Sequence, residues 1–168
     1  MRYAQIRSMD ISNGENVGVS IFVQGCPFHC KGCFNQETWD FNGGKEFTKN
    51  IENKFLKLID RPHIKRVSIL GGEPLCKENA EGVLRLIAQI PDDKEIWIYT
   101  GFTYEALTSD VSTDDLETTI WRSRIKDILN AIDVLVDGQY IEELRDLSLK
   151  FRGSSNQRII RLKDVTYV

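Results

Sequence analysis

Three closely spaced cysteines constrain this chain more than any other feature of its sequence. They are Cys26, Cys30 and Cys33, in the segment C-P-F-H-C-K-G-C. Thiolates are soft ligands that favour iron–sulfur clusters, zinc or cuprous copper. A closed iron–sulfur cluster takes four protein ligands, and this segment supplies three. The spacing therefore predicts an iron–sulfur cluster with one iron left free for another ligand.

A structural zinc site is the alternative for the same cysteines, with His29 or His63 as the fourth ligand. Zinc ribbons usually present two paired CxxC knuckles, however, and this sequence has one, at Cys30 and Cys33. The spacing therefore favours an open iron–sulfur site over zinc. Cys76 stands apart from the other cysteines. We expect it to be an ordinary residue near the start of a helix.

Composition, charge and the distribution of apolar residues indicate the cellular compartment and argue against several classes of partner. The 168 residues are 41% hydrophobic and 28% charged, as expected for one globular domain. A net charge of −3 provides no general attraction to nucleic acid or anionic lipid. No apolar run approaches the length of a membrane span, and the N-terminus lacks the apolar core of a signal peptide. We therefore expect a cytoplasmic protein with reduced thiols, no nucleic-acid partner and no membrane partner.

Apolar runs that suit buried strands alternate along the chain with helical patterns. The buried strands are predicted at residues 17–23, 67–70, 95–99 and 134–136. This alternation indicates an α/β fold with a mainly parallel sheet. A complete eight-unit barrel typically needs about 250 residues, which is more than this chain has. A partial, open βα barrel or a doubly wound sheet remains.

The remaining elements follow from local signals. Thr48 is a candidate N-cap for the first helix. A longer helix is predicted over 116–132, with Ile120 on its buried side, after a polar linker at 109–115. A short helix at 141–147 and a last strand at 158–162 complete the prediction.

A second candidate loop, G-G-E-P at residues 71–74, follows the strand 67–70. By itself it is a glycine turn ahead of a helix, with Glu73 as a possible residue of the helix start. Two adjacent glycines at a strand end also let a ligand approach the backbone closely. Backbone carbonyls there would accept hydrogen bonds from a ligand ammonium. Ligands of parallel α/β folds gather at this end of the strands, where the cysteine segment also lies.

Two later segments carry weaker signals. Asp137 and Gly138 follow a strand and suit either a plain turn or a contact to a ribose hydroxyl. Residues 151–157 are dense in hydrogen-bonding groups. They suit either a solvated loop or a contact surface for a partner.

The cysteine segment and the G-G-E-P loop together resemble the radical S-adenosylmethionine superfamily. Within it, the chain is similar to the activating proteins of anaerobic ribonucleoside-triphosphate reductase. The resemblance implies a single domain over residues 1–168, built as a partial, open βα barrel with a mainly parallel sheet. The closer similarity rests on C-F-N from Cys33, T-W from Thr38, residues 71–75, T-G-F from Thr100, and residues 133–138 and 151–157.

The resemblance implies two cofactors and assigns their contacts. Cys26, Cys30 and Cys33 would hold three irons of a 4Fe–4S cluster, and the amino and carboxylate groups of S-adenosylmethionine would chelate the fourth. The implied contacts to S-adenosylmethionine are Gly32, Cys33 and Phe34 along the adenosyl part and Gly71, Gly72, Glu73 and Pro74 at the methionine ammonium.

The reaction and its partners are also implied by the resemblance. An electron from the reduced cluster would cleave S-adenosylmethionine to a 5′-deoxyadenosyl radical. That radical would take a hydrogen atom from a glycine Cα of the large subunit of anaerobic ribonucleoside-triphosphate reductase. A flavodoxin- or ferredoxin-like protein would donate the electron. The open side of a short barrel also favours a protein substrate over a small molecule.

Two alternatives and one departure accompany this interpretation. The target could be another glycyl-radical enzyme, such as pyruvate formate-lyase, or the chain could be a non-catalytic zinc-binding module. Many superfamily members carry an aromatic residue immediately before the third cysteine, where this chain has Gly32. We therefore expect Phe34 to cover the adenine side instead.

Overall fold

The computed structural model describes residues 1–110 and 115–164, which form one seven-stranded sheet with four helices. The strand order is β3-β1-β2-β4-β5-β6-β7. The strands are β1 Arg2–Asp10, β2 Gly18–Val23, β3 Lys45–Glu46, β4 Arg66–Gly71, β5 Glu95–Tyr99, β6 Val134–Asp137 and β7 Arg158–Arg161. The helices are α1 Lys49–Ile59, α2 Lys77–Ile87, α3 Tyr104–Thr108 and α4 Leu116–Ala131.

The four central strands, β2, β4, β5 and β6, run parallel to one another. This confirms the α/β class and the parallel core predicted from the apolar runs. Both edges of the sheet are antiparallel. On one side β1 pairs with β2 and β3, and on the other side β7 pairs with β6.

The order of the parallel strands places the helices on one face of the sheet. Because β2, β4, β5 and β6 are neighbours in chain order, each crossover moves in the same direction. Right-handed crossovers in one direction all return on the same side. The core on that face joins sheet residues such as Ile21, Ile69 and Ile98 to the helices. The helix residues include Phe55, Ile59, Val83, Leu86, Ile125 and Ile128.

The other face of the sheet is lined by the alternate residues of the same strands. Phe22, Leu70 and Tyr99 face a cavity there. Further along, Trp97, Val134 and Val136 form a smaller apolar cluster with Phe151 against it. The sheet therefore separates a packed helical layer from an open, ligand-sized space.

Most local predictions agree with the structure, and two do not. Thr48 caps α1 by accepting a hydrogen bond from the backbone N–H of Ile51, as predicted. Ile120 is 42% exposed and is not on the buried side of α4. Instead of a helix over 141–147, there is a single 3-10 turn at Glu142–Leu144. Part of the predicted linker, residues 111–114, lies outside the described residues.

None of the helices in the described ranges is long and apolar enough to cross a membrane.

Candidate functional site

A cavity of about 430 Å³ lies at the carboxyl ends of the parallel strands. Its walls come from the loops after all four of them: the cysteine segment after β2, Gly71–Glu73 after β4, Thr100 and Gly101 after β5, and Gly138–Tyr140 after β6. Cys26, Cys30 and Cys33 all line it. The structure therefore brings together the two loops that the sequence singled out.

The cysteine loop is held in shape by its own backbone. Gly25 donates to the Thr38 carbonyl at 2.8 Å, and Cys26 donates to the Trp39 carbonyl at 3.1 Å. Inside the loop, the Cys33 N–H donates to the Cys30 carbonyl at 3.1 Å. These bonds close the segment into a compact loop and present its sulfurs to the cavity.

Backbone N–H groups surround the sulfurs of the three cysteines. The Asn35 N–H donates to Cys33 Sγ at 3.4 Å, and Tyr140 supplies a backbone donor to Cys30. Burial raises the pKa of the Cys26 and Cys30 thiols, and the N–H donors oppose that rise. A metal ligand must be a thiolate, so binding a metal here releases protons.

The arrangement of the histidines does not favour a zinc site. The His29 ring stacks on Trp39 with centroids 4.6 Å apart, and His29 does not line the cavity. His63 precedes β4 and so lies at the amino end of the strands, away from the cysteines. Over residues 1–110 and 115–164, no three His, Cys, Asp or Glu side chains are grouped to share a single metal ion. A cluster differs in this respect, because each cysteine binds its own iron.

Cys76 is separated from the other cysteines by its packing. It is buried at the N-cap of α2, and its Sγ donates to the Glu73 carbonyl at 3.1 Å. Burial raises its thiol pKa. It does not line the cavity, as expected for an ordinary residue at a helix start.

The Gly71–Glu73 loop lies directly against the cysteine loop. The Gly72 N–H donates to the Val23 carbonyl at 2.9 Å, and the Glu73 N–H donates to the Gly25 carbonyl at 2.8 Å. A Cβ on Gly72 would lie 2.3 Å from the Gly25 carbonyl oxygen. The absence of a side chain at Gly72 therefore sets the close approach of the two loops.

Glu73 ties the loop after β4 to the loop after β5. Its side chain accepts hydrogen bonds from the Leu75 N–H at 2.9 Å, the Thr100 hydroxyl at 2.8 Å and the Gly101 N–H at 2.7 Å. The residue is 1% exposed, and burial raises the pKa of its carboxyl from 4.5 to about 7 against those hydrogen bonds. Helix α2 begins later, at Lys77, so Glu73 lies outside its first turn.

The raised pKa of Glu73 predicts a pH-dependent stability in the protein without cofactors. The native state binds this proton more tightly than the unfolded chain, so stability falls as pH rises from about 4.5 to about 7. The fall attributable to this group is about 3 kcal/mol, and it levels off above that range. Urea unfolding at pH 5 and pH 8 measures the difference.

Glu73→Gln is the control for this prediction. The amide removes the titration but leaves a backbone N–H, of Leu75 or of Gly101, facing its NH2 group. The variant should be less stable overall, with a flatter pH profile than the wild type. A wild-type profile no steeper than that of Glu73→Gln would contradict the raised pKa.

The other predicted contacts occupy different positions. Phe34 lines the cavity, whereas Gly32 and Pro74 do not, and Pro74 is buried. Two residues that the sequence did not single out, Phe28 and Tyr140, also line it. Tyr140 comes shortly after the strand-ending Asp137-Gly138 pair, which was the available signal for it.

The two weaker segments have structural partners. Asp137 is buried and accepts hydrogen bonds from the Tyr104 N–H and from Arg158. Within residues 151–157, the Gln157 side-chain oxygen accepts from the Gly153 N–H at 2.8 Å and the Ser154 N–H at 3.2 Å. These bonds make 151–157 an ordered wall of the cavity rather than a freely solvated loop.

A family model and curated relatives both match this chain. The model, described as a 4Fe-4S single cluster domain, covers residues 12–160. The anaerobic ribonucleoside-triphosphate reductase-activating protein of Escherichia coli K12 is 35% identical over 168 residues, covering 97% of this chain and 100% of the relative.

Two further relatives carry the same name. The Vibrio cholerae protein is 37% identical, covering 96% of this chain and 98% of its own length. The protein of enterobacteria phage T4 is 30% identical, covering 95% of this chain and 93% of its own length. The chain therefore belongs to the family of anaerobic ribonucleoside-triphosphate reductase-activating proteins.

Proposed function

We propose that this protein activates an anaerobic ribonucleoside-triphosphate reductase by installing a glycyl radical on the large subunit. The observation that carries the proposal is the cavity at the carboxyl ends of β2, β4, β5 and β6. There Cys26, Cys30 and Cys33 lie beside the Gly71–Glu73 loop. The names of the relatives support the choice of target.

The donor set fits a 4Fe–4S cluster held by three cysteines. The three thiols share the cavity, and backbone N–H groups are available to the sulfurs. Among the described residues the remaining cysteine, Cys76, is buried and turned toward the Glu73 carbonyl. One iron would thus lack a protein thiolate, which leaves a coordination position for S-adenosylmethionine. When bound and reduced, the cluster supplies the electron that cleaves S-adenosylmethionine to the 5′-deoxyadenosyl radical that takes the glycine hydrogen.

The chain's own residues bind and orient the second cofactor in this proposal. Gly71 and Gly72 line the cavity, and their backbone carbonyls would accept hydrogen bonds from the methionine ammonium. The Glu73 carbonyl already accepts from Cys76 Sγ and from the Asn79 side chain, so Glu73 would act through its carboxylate. The Glu73 carboxylate holds this loop against Thr100 and Gly101 and so supports the ammonium site from behind. Phe34 would cover the adenosyl part, with Cys33 alongside it.

Gly32 and Pro74 contribute indirectly in the same proposal. Gly32 has a φ of +72°, which a residue with a side chain rarely adopts. It would let the cysteine loop turn between Cys30 and Cys33. Pro74, with its fixed φ, would hold the backbone in place where the chain leaves the Gly71–Glu73 loop.

The fold supports a protein substrate. A doubly wound sheet carries helices on both faces, whereas here the core helices pack on one face. This arrangement suits a partial, open βα barrel formed by a single domain over residues 1–168. The uncovered face would admit the glycine-bearing segment of the reductase. The electron would come from a flavodoxin- or ferredoxin-like donor.

Anaerobic reconstitution followed by electron paramagnetic resonance tests the proposal. The protein should bind about four irons with matching sulfide. With reductant it should cleave S-adenosylmethionine, and with the large reductase subunit added it should generate a glycyl-radical signal. Incubation with pyruvate formate-lyase in place of the reductase serves as the control for the target.

Three results would contradict the proposal at different points. A colourless, zinc-loaded protein without cleavage activity would contradict the assignment of an iron–sulfur cluster to the cysteines. Cleavage without a radical on the reductase would remove the substrate assignment. A stronger signal on pyruvate formate-lyase would transfer the activity to another glycyl-radical enzyme.

A further inference from the structure

A short segment after β6 clamps the cysteine loop from outside. This segment, residues 139–145, is called the strap below. The Tyr140 ring packs on Phe34 with centroids 5.2 Å apart, and the Tyr140 backbone N–H donates to Cys30. The Tyr140 hydroxyl donates to Glu142 Oε2 at 2.6 Å. The strap thus contacts the cysteine loop on both sides of Gly32.

Glu142 occupies the space that a side chain at residue 32 would need. A Cβ built on Gly32 would lie 1.9 Å from Glu142 Oε2 and 2.6 Å from its Cδ. The carboxylate therefore rests against the loop backbone between Cys30 and Cys33. This contact gives a physical reason for glycine at this position in addition to its positive φ.

The strap is fixed from its other side as well. The Ile141 N–H donates to Ser154 Oγ at 3.2 Å, and the Ser155 N–H donates to the Leu144 carbonyl at 2.9 Å. Ser154 is fully buried. Because both flanks of Glu142 are anchored, its carboxylate is held in place against the cysteine loop.

The charges of the strap differ in how strongly they act on the loop. The Glu142 side chain is 33% exposed, lies 3.8 Å from Arg145 and is held by Tyr140. The neighbouring Glu143 is 69% exposed and pairs with Lys31 at 3.4 Å. Glu143 is the more exposed of the two, and its cation lies nearer than Arg145 lies to Glu142, so the charge of Glu143 is screened more fully.

We propose that Glu142 is a positioning residue of the cysteine loop and that its carboxylate lowers the reduction potential of the cluster. The inference rests on the proposed function, because it requires a cluster at these cysteines. Reduction adds negative charge, and a fixed carboxylate nearby opposes that addition. A lower potential makes the reduced cluster a stronger donor, which cleavage of S-adenosylmethionine requires.

A redox titration of the reconstituted protein, followed by electron paramagnetic resonance, tests the electrostatic part. Glu142→Gln keeps the size of the side chain and its hydrogen bond from Tyr140 and removes the charge. Its midpoint potential should shift upward. The matched control Glu143→Gln removes the same charge one residue away and should shift it less. An unchanged potential in Glu142→Gln, or an equal shift in Glu143→Gln, would overturn the electrostatic role.

Thermal unfolding of the protein without cofactors tests the positioning part independently of any cluster. Gly32→Ala should lower the melting temperature, because its Cβ collides with Glu142 and its φ becomes strained. The double variant Gly32→Ala with Glu142→Ala should lose less than the sum of the two single losses, since the collision is gone and only the φ strain and the lost contacts of Glu142 remain. If the two substitutions lower the melting temperature additively, the contact does not position the loop. Failure of the wild type to bind a cluster would instead count against the proposed function and would leave this measurement intact.

Discussion

Cys30→Ala is expected to leave the protein without a stable 4Fe–4S cluster. Cys30 is the central cysteine of the loop, between Cys26 and Cys33, and all three line the cavity. Removing it leaves two protein thiolates, and among the described residues Cys76 is buried in another hydrogen bond. Iron and sulfide analysis after anaerobic reconstitution should show that most of the metal is lost. The visible absorption of the cluster should be lost with it.

Cys76→Ala is the matched control, because it removes a thiol of the same chemistry from the same domain. Cys76 packs at the N-cap of α2 and does not line the cavity. Its replacement should cost some stability and leave the iron content close to that of the wild type. Equal metal loss in the two variants would show that Cys76 is a ligand and that the cluster has no free iron.

The parts of the fold that were predictable are those with a local signal. Continuous apolar runs mark β2, β4, β5 and β6 because strands buried on both faces have no polar alternation. The direction of an edge strand has no such signal, so the antiparallel pairing of β1 and β7 was not indicated. The two-residue strand β3 is too short for any periodicity. Leu116 and Ile120 are exposed at the start of α4, where an apolar stripe continues beyond the core.

The candidate site divides in the same way. The three cysteines lie in one short segment and the G-G-E-P residues in another, and each segment follows a buried strand. The meeting of the two segments at one sheet edge therefore followed from topology. The contacts of the strap are long-range. Lys31 and Glu143, for example, are 112 residues apart. Neither residue type nor spacing indicates that Glu142 fills the space beside Gly32. The sequence also did not indicate that the Glu73 carboxylate binds the loop after β5, because that contact is long-range as well.

Gly72→Ala is the second substitution with a large expected effect, and here the structure changes the expectation. The close ligand approach that the two glycines permit predicts, taken alone, that a bulky residue at Gly72 weakens S-adenosylmethionine binding and spares the cluster. In the structure the added Cβ would lie 2.3 Å from the Gly25 carbonyl oxygen, which also accepts the Glu73 N–H. The backbone of residue 72 fixes the position of this Cβ, and the oxygen belongs to the backbone of Gly25, so one of the two loops must move. We therefore expect a lower iron content after reconstitution as well as weaker binding of S-adenosylmethionine.

Gly82→Ala separates this collision from a general intolerance of alanine. Gly82 lies within α2, and its added Cβ would lie 2.6 Å from Met1 Cβ, so Met1 would have to shift, but neither loop of the candidate site is touched. Alanine also favours a helix over glycine by about 1 kcal/mol. Gly82→Ala should keep both the cluster and the binding of S-adenosylmethionine. If Gly72→Ala kept both as well, the cysteine loop and the Gly71–Glu73 loop would not depend on their close approach, and the assignment of the Gly71 and Gly72 carbonyls to the cofactor would lose its structural basis.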